Sequence, residues 1–212
     1  MKPHFFNANI DEQNTYVFTN GSEAVVVDPG FNGESVQLFL DALKMKVTKV
    51  LLTHGHYDHI RDVRLLAKYH TFTLYIHMDD GAHLSDVKLS YASHFGGSFQ
   101  LAKDQAVVYL RDQDVIDFGD DKIEVIHTPG HTPGSVCYYM APYLFSGDTL
   151  FRHSVGRTDL AGGSAKTLGE SIAKLFRTVT KEAFVYPGHD KTSTMSEERA
   201  NNTLVRPYMK HH

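Results

Sequence analysis

Four potential metal ligands fall within six residues in His54-Gly55-His56-Tyr57-Asp58-His59, directly after a strand-like run from Val47 to Leu52. Imidazole nitrogen and carboxylate oxygen are the ligand set of zinc and related divalent ions. The i, i+2, i+4, i+5 spacing does not suit one helix face, where paired ligands fall at i and i+4. It suits a loop at the end of a strand, with Gly55 letting the backbone turn between two bulky ligands. A solvated His-rich loop is the plain alternative in a chain of 212 residues with 14 histidines. The remaining sequence argues against it.

Three further segments repeat the same habit. Lys122 to His127 alternates as a strand and breaks into Thr128-Pro129-Gly130-His131-Thr132-Pro133-Gly134. Tyr143-Leu144-Phe145 runs into Ser146-Gly147-Asp148, and Ala183 to Tyr186 ends in Pro187-Gly188-His189-Asp190. Each short apolar run delivers a His or Asp into a turn rich in Gly or Pro, and loops held by a rigid sheet are where sites concentrate. The doubling His127-Thr-Pro-Gly, His131-Thr-Pro-Gly leaves spacing alone unable to choose between the two imidazoles. His127 shares a strand face with Ile123 and Val125, which fits a packed or supporting role.

These motifs resemble the metallo-β-lactamase fold superfamily and, within it, the glyoxalase II-type hydrolases. The matching pieces are Val27-Asp28-Pro29-Gly30, the run His54 to His59, Thr128 to Gly134, Ser146-Gly147-Asp148-Thr149-Leu150-Phe151, Gly156-Arg157-Thr158-Asp159 and Pro187-Gly188-His189. The resemblance implies a first metal on His54, His56 and His131, a second on Asp58, His59 and His189, and Asp148 bridging both. It places His131, between Pro-Gly and Thr-Pro-Gly, as the ligand in preference to His127. Asp28 is then expected to orient ligands from behind. Arg157 and Asp159 read either as an ion pair that locks the Asp148 loop, the favoured role, or as substrate-recognising residues. The implied cofactor is a pair of divalent ions, zinc first, with iron or manganese as alternatives.

The expected fold is α/β: two mixed β-sheets with helices on the outside, the αβ/βα four-layer sandwich of this superfamily, as a single domain over residues 1–212. Strands are expected at 15–19, 23–28, 47–52, 72–76, 106–110, 123–127, 136–140 and 143–145. A first helix carries the stripe Val36, Leu38, Phe39, Leu40 and Leu43. A second runs from His59 to Tyr69, and a third from about Ser164 to Thr178 with Leu168, Ile172, Leu175 and Phe176 inward. The stretch Ser85 to Phe99 reads as a flap over the site.

Composition narrows the function classes. The net charge is −4 without a dense Lys/Arg patch, which argues against nucleic acid as a partner. No apolar stretch is long enough to span a bilayer, and no leader pattern opens the chain. The single cysteine, Cys137, excludes an intramolecular disulfide and makes a reducing cytoplasm the expectation. The closing Lys210-His211-His212 is given no functional weight.

The chemistry expected is hydrolysis of a small-molecule thioester or ester through a metal-bridged hydroxide, with Asp58 as both ligand and catalytic residue. A thiolate leaving group has a pKa of roughly 8.5 and needs no dedicated acid. The aromatic residue that glyoxalase II carries after Pro-Gly-His is replaced by Asp190-Lys191-Thr192, and the chain leaves little room for the helical region that binds glutathione. The alternatives are a mononuclear iron persulfide dioxygenase, suggested by Gly156-Arg157-Thr158-Asp159, and a non-catalytic metal-binding protein. β-Lactam hydrolysis is disfavoured by Asp148. Tyr57 reads equally as packing or as facing substrate, His77, His83, His94 and His153 as ordinary polar side chains, and Ser146 as a turn residue.

Overall fold

The computed structural model describes residues 2–8, 12–21 and 23–209, so Lys210-His211-His212 lies outside the described residues. The chain forms two compact units, Met1–Leu110 and Arg111–His212.

In the first unit, six strands form one sheet in chain order: β1 (His4–Asn7), β2 (Asn14–Asn20), β3 (Glu23–Val27), β4 (Lys46–Leu51), β5 (Thr73–His77) and β6 (Val107–Leu110). The β1–β2 and β2–β3 pairs are antiparallel, and from β3 to β6 every pair is parallel. Ala24, Val25, Val26 and Val27 are all buried, the continuous apolar run expected of a strand covered on both faces.

Helix α1 (Gly33–Leu43) begins where the Gly33 N–H donates to Asp62 Oδ2 at 2.9 Å. It ends at Lys44, in the left-handed region with φ 55°. Its buried face is Val36, Gln37 and Leu40, whereas Leu38 is 72% exposed. The expected stripe was therefore too wide. Positions 36, 37 and 40 cluster on a 3.6-residue period, and position 38 falls on the far side.

The helix expected from His59 to Tyr69 is divided into α2 (Tyr57–Ile60) and α3 (Val63–Leu66). The interruption has a tertiary cause: the Asp62 N–H donates to Pro29 O at 2.8 Å, and its carboxylate caps Gly33. Burial pushes the Asp62 carboxyl above the usual carboxylate range, against the opposing pull of the Gly33 hydrogen bond. Val36, Leu40, Ile60, Val63 and Leu66 pack with Val26, Val50, Leu52, Leu74 and Ile76 as one core. Each such aliphatic side chain contributes about 1.5–3 kcal/mol by leaving water.

After β5 come two short 3₁₀ segments, Met78–Leu84 and Ala92–Phe95. The 85–99 stretch is more firmly anchored than a loose flap, because Ser90, Ala92 and Phe99 are buried.

In the second unit the strands are β7 (Val115–Phe118), β8 (Asp121–His127), β9 (Val136–Met140), β10 (Tyr143–Gly147), the small pair β11 (Leu150–Phe151) and β12 (Ser154–Val155), β13 (Phe184–Pro187) and β14 (Ser193–Thr194). The main sheet runs β14-β13-β10-β9-β8-β7, with β10 and β13 parallel and its other pairs antiparallel. Helix α4 (Ala165–Thr178) starts at Ser164, whose Oγ accepts from Thr167 N at 3.2 Å, a standard N-cap contact. Leu168, Ile172, Leu175 and Phe176 face inward as expected and pack with Ile126, Leu144 and Val185. Thr194 caps α5 (Met195–Asn201) by accepting from Glu197 N, and a last turn, α6, spans Arg206–Met209. Among the described residues, no helix is long and apolar enough to cross a membrane.

Candidate metal centre

Ligand-type side chains gather beyond the carboxyl ends of parallel strands, where open α/β sheets place their sites. Asp28 follows β3 and the His54–His59 run follows β4; Asp148 follows β10 and His189 follows β13. Each unit carries its own group of them.

In the first unit, His54 and His56 lie on the extended loop, and Asp58 and His59 lie on α2. Gly55 has no left-handed φ, so a tight turn is not its reason. A Cβ there would come within 2.3 Å of the His83 Cβ, so glycine is needed for close approach. His54 Nε2 and His56 Nδ1 converge at 3.1 Å, and His59 Nε2 lies 3.5 Å from Asp58 Oδ2. Three of these imidazoles (His54, His56, His59) are at least 95% buried, and the ligand atoms of His54 and His56, His54 and His59, and Asp58 and His59 each lie within 4.8 Å.

Asp28 fixes this group from behind. Its Oδ1 accepts from the Thr53 N–H at 2.7 Å. Its Oδ2 accepts from the Thr53 hydroxyl at 2.6 Å and from His59 Nδ1 at 2.9 Å. With its own proton committed to Asp28, the Thr53 hydroxyl accepts from His54 Nδ1 at 3.1 Å. One carboxylate thus sets the tautomer of two imidazoles, leaving Nε2 of both His54 and His59 with a lone pair to give. Asp28 itself adopts φ 50°, a left-handed conformation that aspartate tolerates better than most residues.

In the second unit, His131 Nδ1 donates to the Arg157 carbonyl at 2.8 Å, which directs its Nε2 lone pair away from that contact. That Nε2 lies 3.4 Å from Asp148 Oδ2, and His189 Nε2 lies 3.6 Å from the same oxygen. His127 is committed elsewhere: its Nε2 donates to Pro133 O at 2.9 Å, and its carbonyl accepts from Lys174 Nζ. Arg157 and Asp159 form a two-pronged pair at 2.7 and 2.8 Å on the surface. The Arg157 guanidinium pulls the Asp159 carboxyl down to about 2. A Cβ on Gly156 would fall 1.8 Å from the Asp148 carbonyl oxygen, so only glycine lets the 154–157 strand end lie against the Asp148 loop.

These His/Asp clusters are capable of holding metal ions. The donor chemistry fits: neutral imidazoles with the distal nitrogen tied to a carboxylate, hydroxyl or carbonyl are the ordinary form of a metal-ligating histidine. One contributor escaped the sequence reading. Asp80, fully buried, accepts from the Gly55 N–H at 2.9 Å and so holds the ligand loop from the side of β5. Its signal was an acidic residue three positions beyond an apolar strand, a little farther out than Asp28 and Asp148, which directly follow theirs.

The chain is similar to proteins of one kind. A model of the metallo-β-lactamase superfamily matches residues 8–189. A probable metallo-hydrolase of Bacillus subtilis, YqgX, is 31% identical over 93% of this chain and 94% of its own. Among solved structures, BLEG-1 B3 metallo-β-lactamase superposes with a TM-score of 0.88 at 33% identity, covering 96% of this chain and 99% of that one. TTHA1623, solved in a di-iron-bound form, gives 0.82 at 31% identity, covering 94% and 98%. The two mixed sheets with their helices are those of the same αβ/βα fold, and the chain belongs to the metallo-β-lactamase superfamily.

Proposed function

We propose that this chain is a metal-dependent hydrolase of small-molecule thioesters or esters, similar to glyoxalase II, in which the two ligand groups serve one binuclear centre. His54, His56 and His131 would hold one ion and Asp58, His59 and His189 the other, with Asp148 shared. The observation that supports this reading is Asp148 Oδ2, which stands 3.4 Å from one imidazole nitrogen and 3.6 Å from another, within reach of the ligands of both ions. When bound, a pair of divalent ions lowers the pKa of water to about 7 and polarises a substrate carbonyl.

The chain's own residues then do the following. Asp28, through Thr53 and His59, keeps two imidazoles in the ligating tautomer. Asp58 is the more open of the two ligand carboxylates, its side chain 15% exposed against 9% for Asp148. In this reading it would orient the attacking water and accept its proton. The buried His54, His56 and His59 exclude bulk water from one side of the centre. The thiol of a cleaved thioester departs as an anion without a separate acid.

The test is metal analysis of the freshly purified protein, joined to thiol release from S-lactoylglutathione and simpler thioesters. The zinc- or iron-loaded protein is expected to turn over at least one of them. Asp58→Ala should fold normally and lose about 10²–10⁴-fold in kcat; near-normal turnover in that variant overturns the mechanism. The likeness to BLEG-1 supports a second reading, β-lactam hydrolysis. Cleavage of nitrocefin by a protein inert to every thioester and ester would favour it.

A further inference from the structure

The hairpin β11–β12 sits among three of the proposed ligands. Asp148 leads into it and Gly156-Arg157 lead out of it, and the Arg157 carbonyl holds His131 Nδ1 at 2.8 Å. Gly156 lies against the Asp148 carbonyl, and the Phe151 ring meets the His189 ring edge-on, with centroids 6.1 Å apart at 89°. The hairpin is a sheet of its own, with two residues in each strand. A ladder that short does not hold its own shape in water. Ser146 ties its base to β10, with Oγ donating to the Leu150 carbonyl at 2.7 Å. The angle at which the hairpin stands is then set at its tip.

Helix α5 grips that tip. Glu198 Oε2 accepts from the His153 N–H at 2.9 Å and from Asn202 Nδ2 at 2.8 Å. Asn202 Nδ2 also donates to the Ser154 carbonyl at 2.9 Å, and both Glu198 and Asn202 are fully buried. Glu197 lies 3.1 Å from Arg152 and from His153, but at the surface, where such pairs contribute little. The helix is in turn tied to the strand that delivers His189: the Met195 N–H donates to Ala183 O at 2.9 Å, and Ser193 pairs with Val185. Stability alone does not account for Glu198. Its Oε1 is buried with no hydrogen-bond partner among the described residues, and a carboxyl kept from water in this way costs more than an apolar group of the same size.

We propose that Glu198 is a positioning residue for the metal centre: from α5 it fixes the tip of the β11–β12 hairpin and so sets Asp148 and His131 relative to His189. This rests on the proposed ligand roles of those three residues. Glu198 acts through the hairpin backbone.

The test loads the full chain with cobalt(II), whose visible absorption follows the arrangement of its ligands, and separately titrates zinc against a chromophoric chelator. In Glu198→Leu the cobalt bands should shift and zinc affinity should fall about tenfold or more. Glu198→Gln keeps an oxygen for both donors and should restore the wild-type bands and affinity. Val179→Ala, a deletion in the buried core of the same unit, is the stability control: its Tm should drop while the cobalt bands stay in place. If Glu198→Leu does not fold, Asn202→Ala, which releases the Ser154 carbonyl, takes its place with the same expectation. Wild-type bands and zinc affinity in the clamp variant would overturn the inference. So would a Glu198→Gln protein as impaired as Glu198→Leu, or bands that move as far in Val179→Ala. Shifted bands in a chain that cleaves no thioester or ester keep the clamp and remove the proposed reaction. Turnover with unshifted bands keeps the reaction and removes the clamp, and failure to bind either metal overturns both.

Discussion

Replacing Asp28 by asparagine isolates one atom's charge and proton role without changing side-chain shape. Both carboxylate oxygens accept from donors: Oδ1 from Thr53 N, and Oδ2 from the Thr53 hydroxyl and His59 Nδ1. Whichever way the amide is turned, its NH₂ faces a group that itself donates. If it faces the Thr53 N–H, two buried donors oppose each other, at about 1–3 kcal/mol for the one left unsatisfied. If it occupies the Oδ2 position, His59 can relieve the conflict by moving its proton to Nε2, and Nε2 is then no longer a ligand. The backbone is not the issue, since asparagine tolerates the left-handed φ of 50° found at this position. Loss of such a supporting partner typically lowers metal affinity 10–100-fold, or about 1.4–2.7 kcal/mol. Zinc should be titrated against a chromophoric chelator, with the Tm of the metal-free protein followed in parallel. The metal-free Tm should fall by roughly 2–4 °C per kcal/mol for a chain of this size. Zinc binding by Asp28→Asn as tight as in the wild type would refute the tautomer argument, even if the Tm dropped.

Two further outcomes follow from contacts already described. His131→Ala should cost far more zinc affinity than His127→Ala, because His131 Nε2 faces Asp148 while His127 Nε2 is spent on Pro133 O; the reverse order in the same chelator competition would overturn the assignment. Cys137 is fully buried, and burial pushes its thiol up to about 11, so only about one part in 10³ is thiolate at pH 8. A thiol reagent should therefore label the folded protein slowly between pH 7 and 9, and rapidly once denaturant unfolds it; fast labelling of the native state would contradict the burial.

The parts of this molecule that were legible in its sequence are those in which residue type and position coincide. Ligand chemistry at the ends of apolar runs marked the His54–His59 loop, Asp148 and His189 as candidates, and the helical period of Leu168, Ile172, Leu175 and Phe176 marked α4. The family resemblance, and not the spacing, chose His131 over His127. The parts that were not legible depend on partners distant in the chain. The division between α2 and α3 follows from Asp62 meeting Pro29 and Gly33, which no local pattern announces. The edge strands β1 and β7, four residues each, carry too little alternation to stand out. Leu38 looks like core by composition and is solvent-facing by geometry. Gly55 was noted for the right position and the wrong reason, since the crowding comes from His83, beyond the next strand.

The parallel register of β10 and β13 has a consequence for how the centre is measured out. Gly147 pairs with Pro187, so the chain leaves both strands at the same level, and Asp148 and His189 emerge side by side. Adjacent strands are separated by about 4.8 Å, which lets the His189 Nε2 and Asp148 Oδ2 donors meet at 3.6 Å. The backbone lattice is thus the ruler. Insertions farther out along either loop leave the gauge of the two donors untouched, so such a scaffold can exchange its surroundings freely while its grip keeps one fixed span.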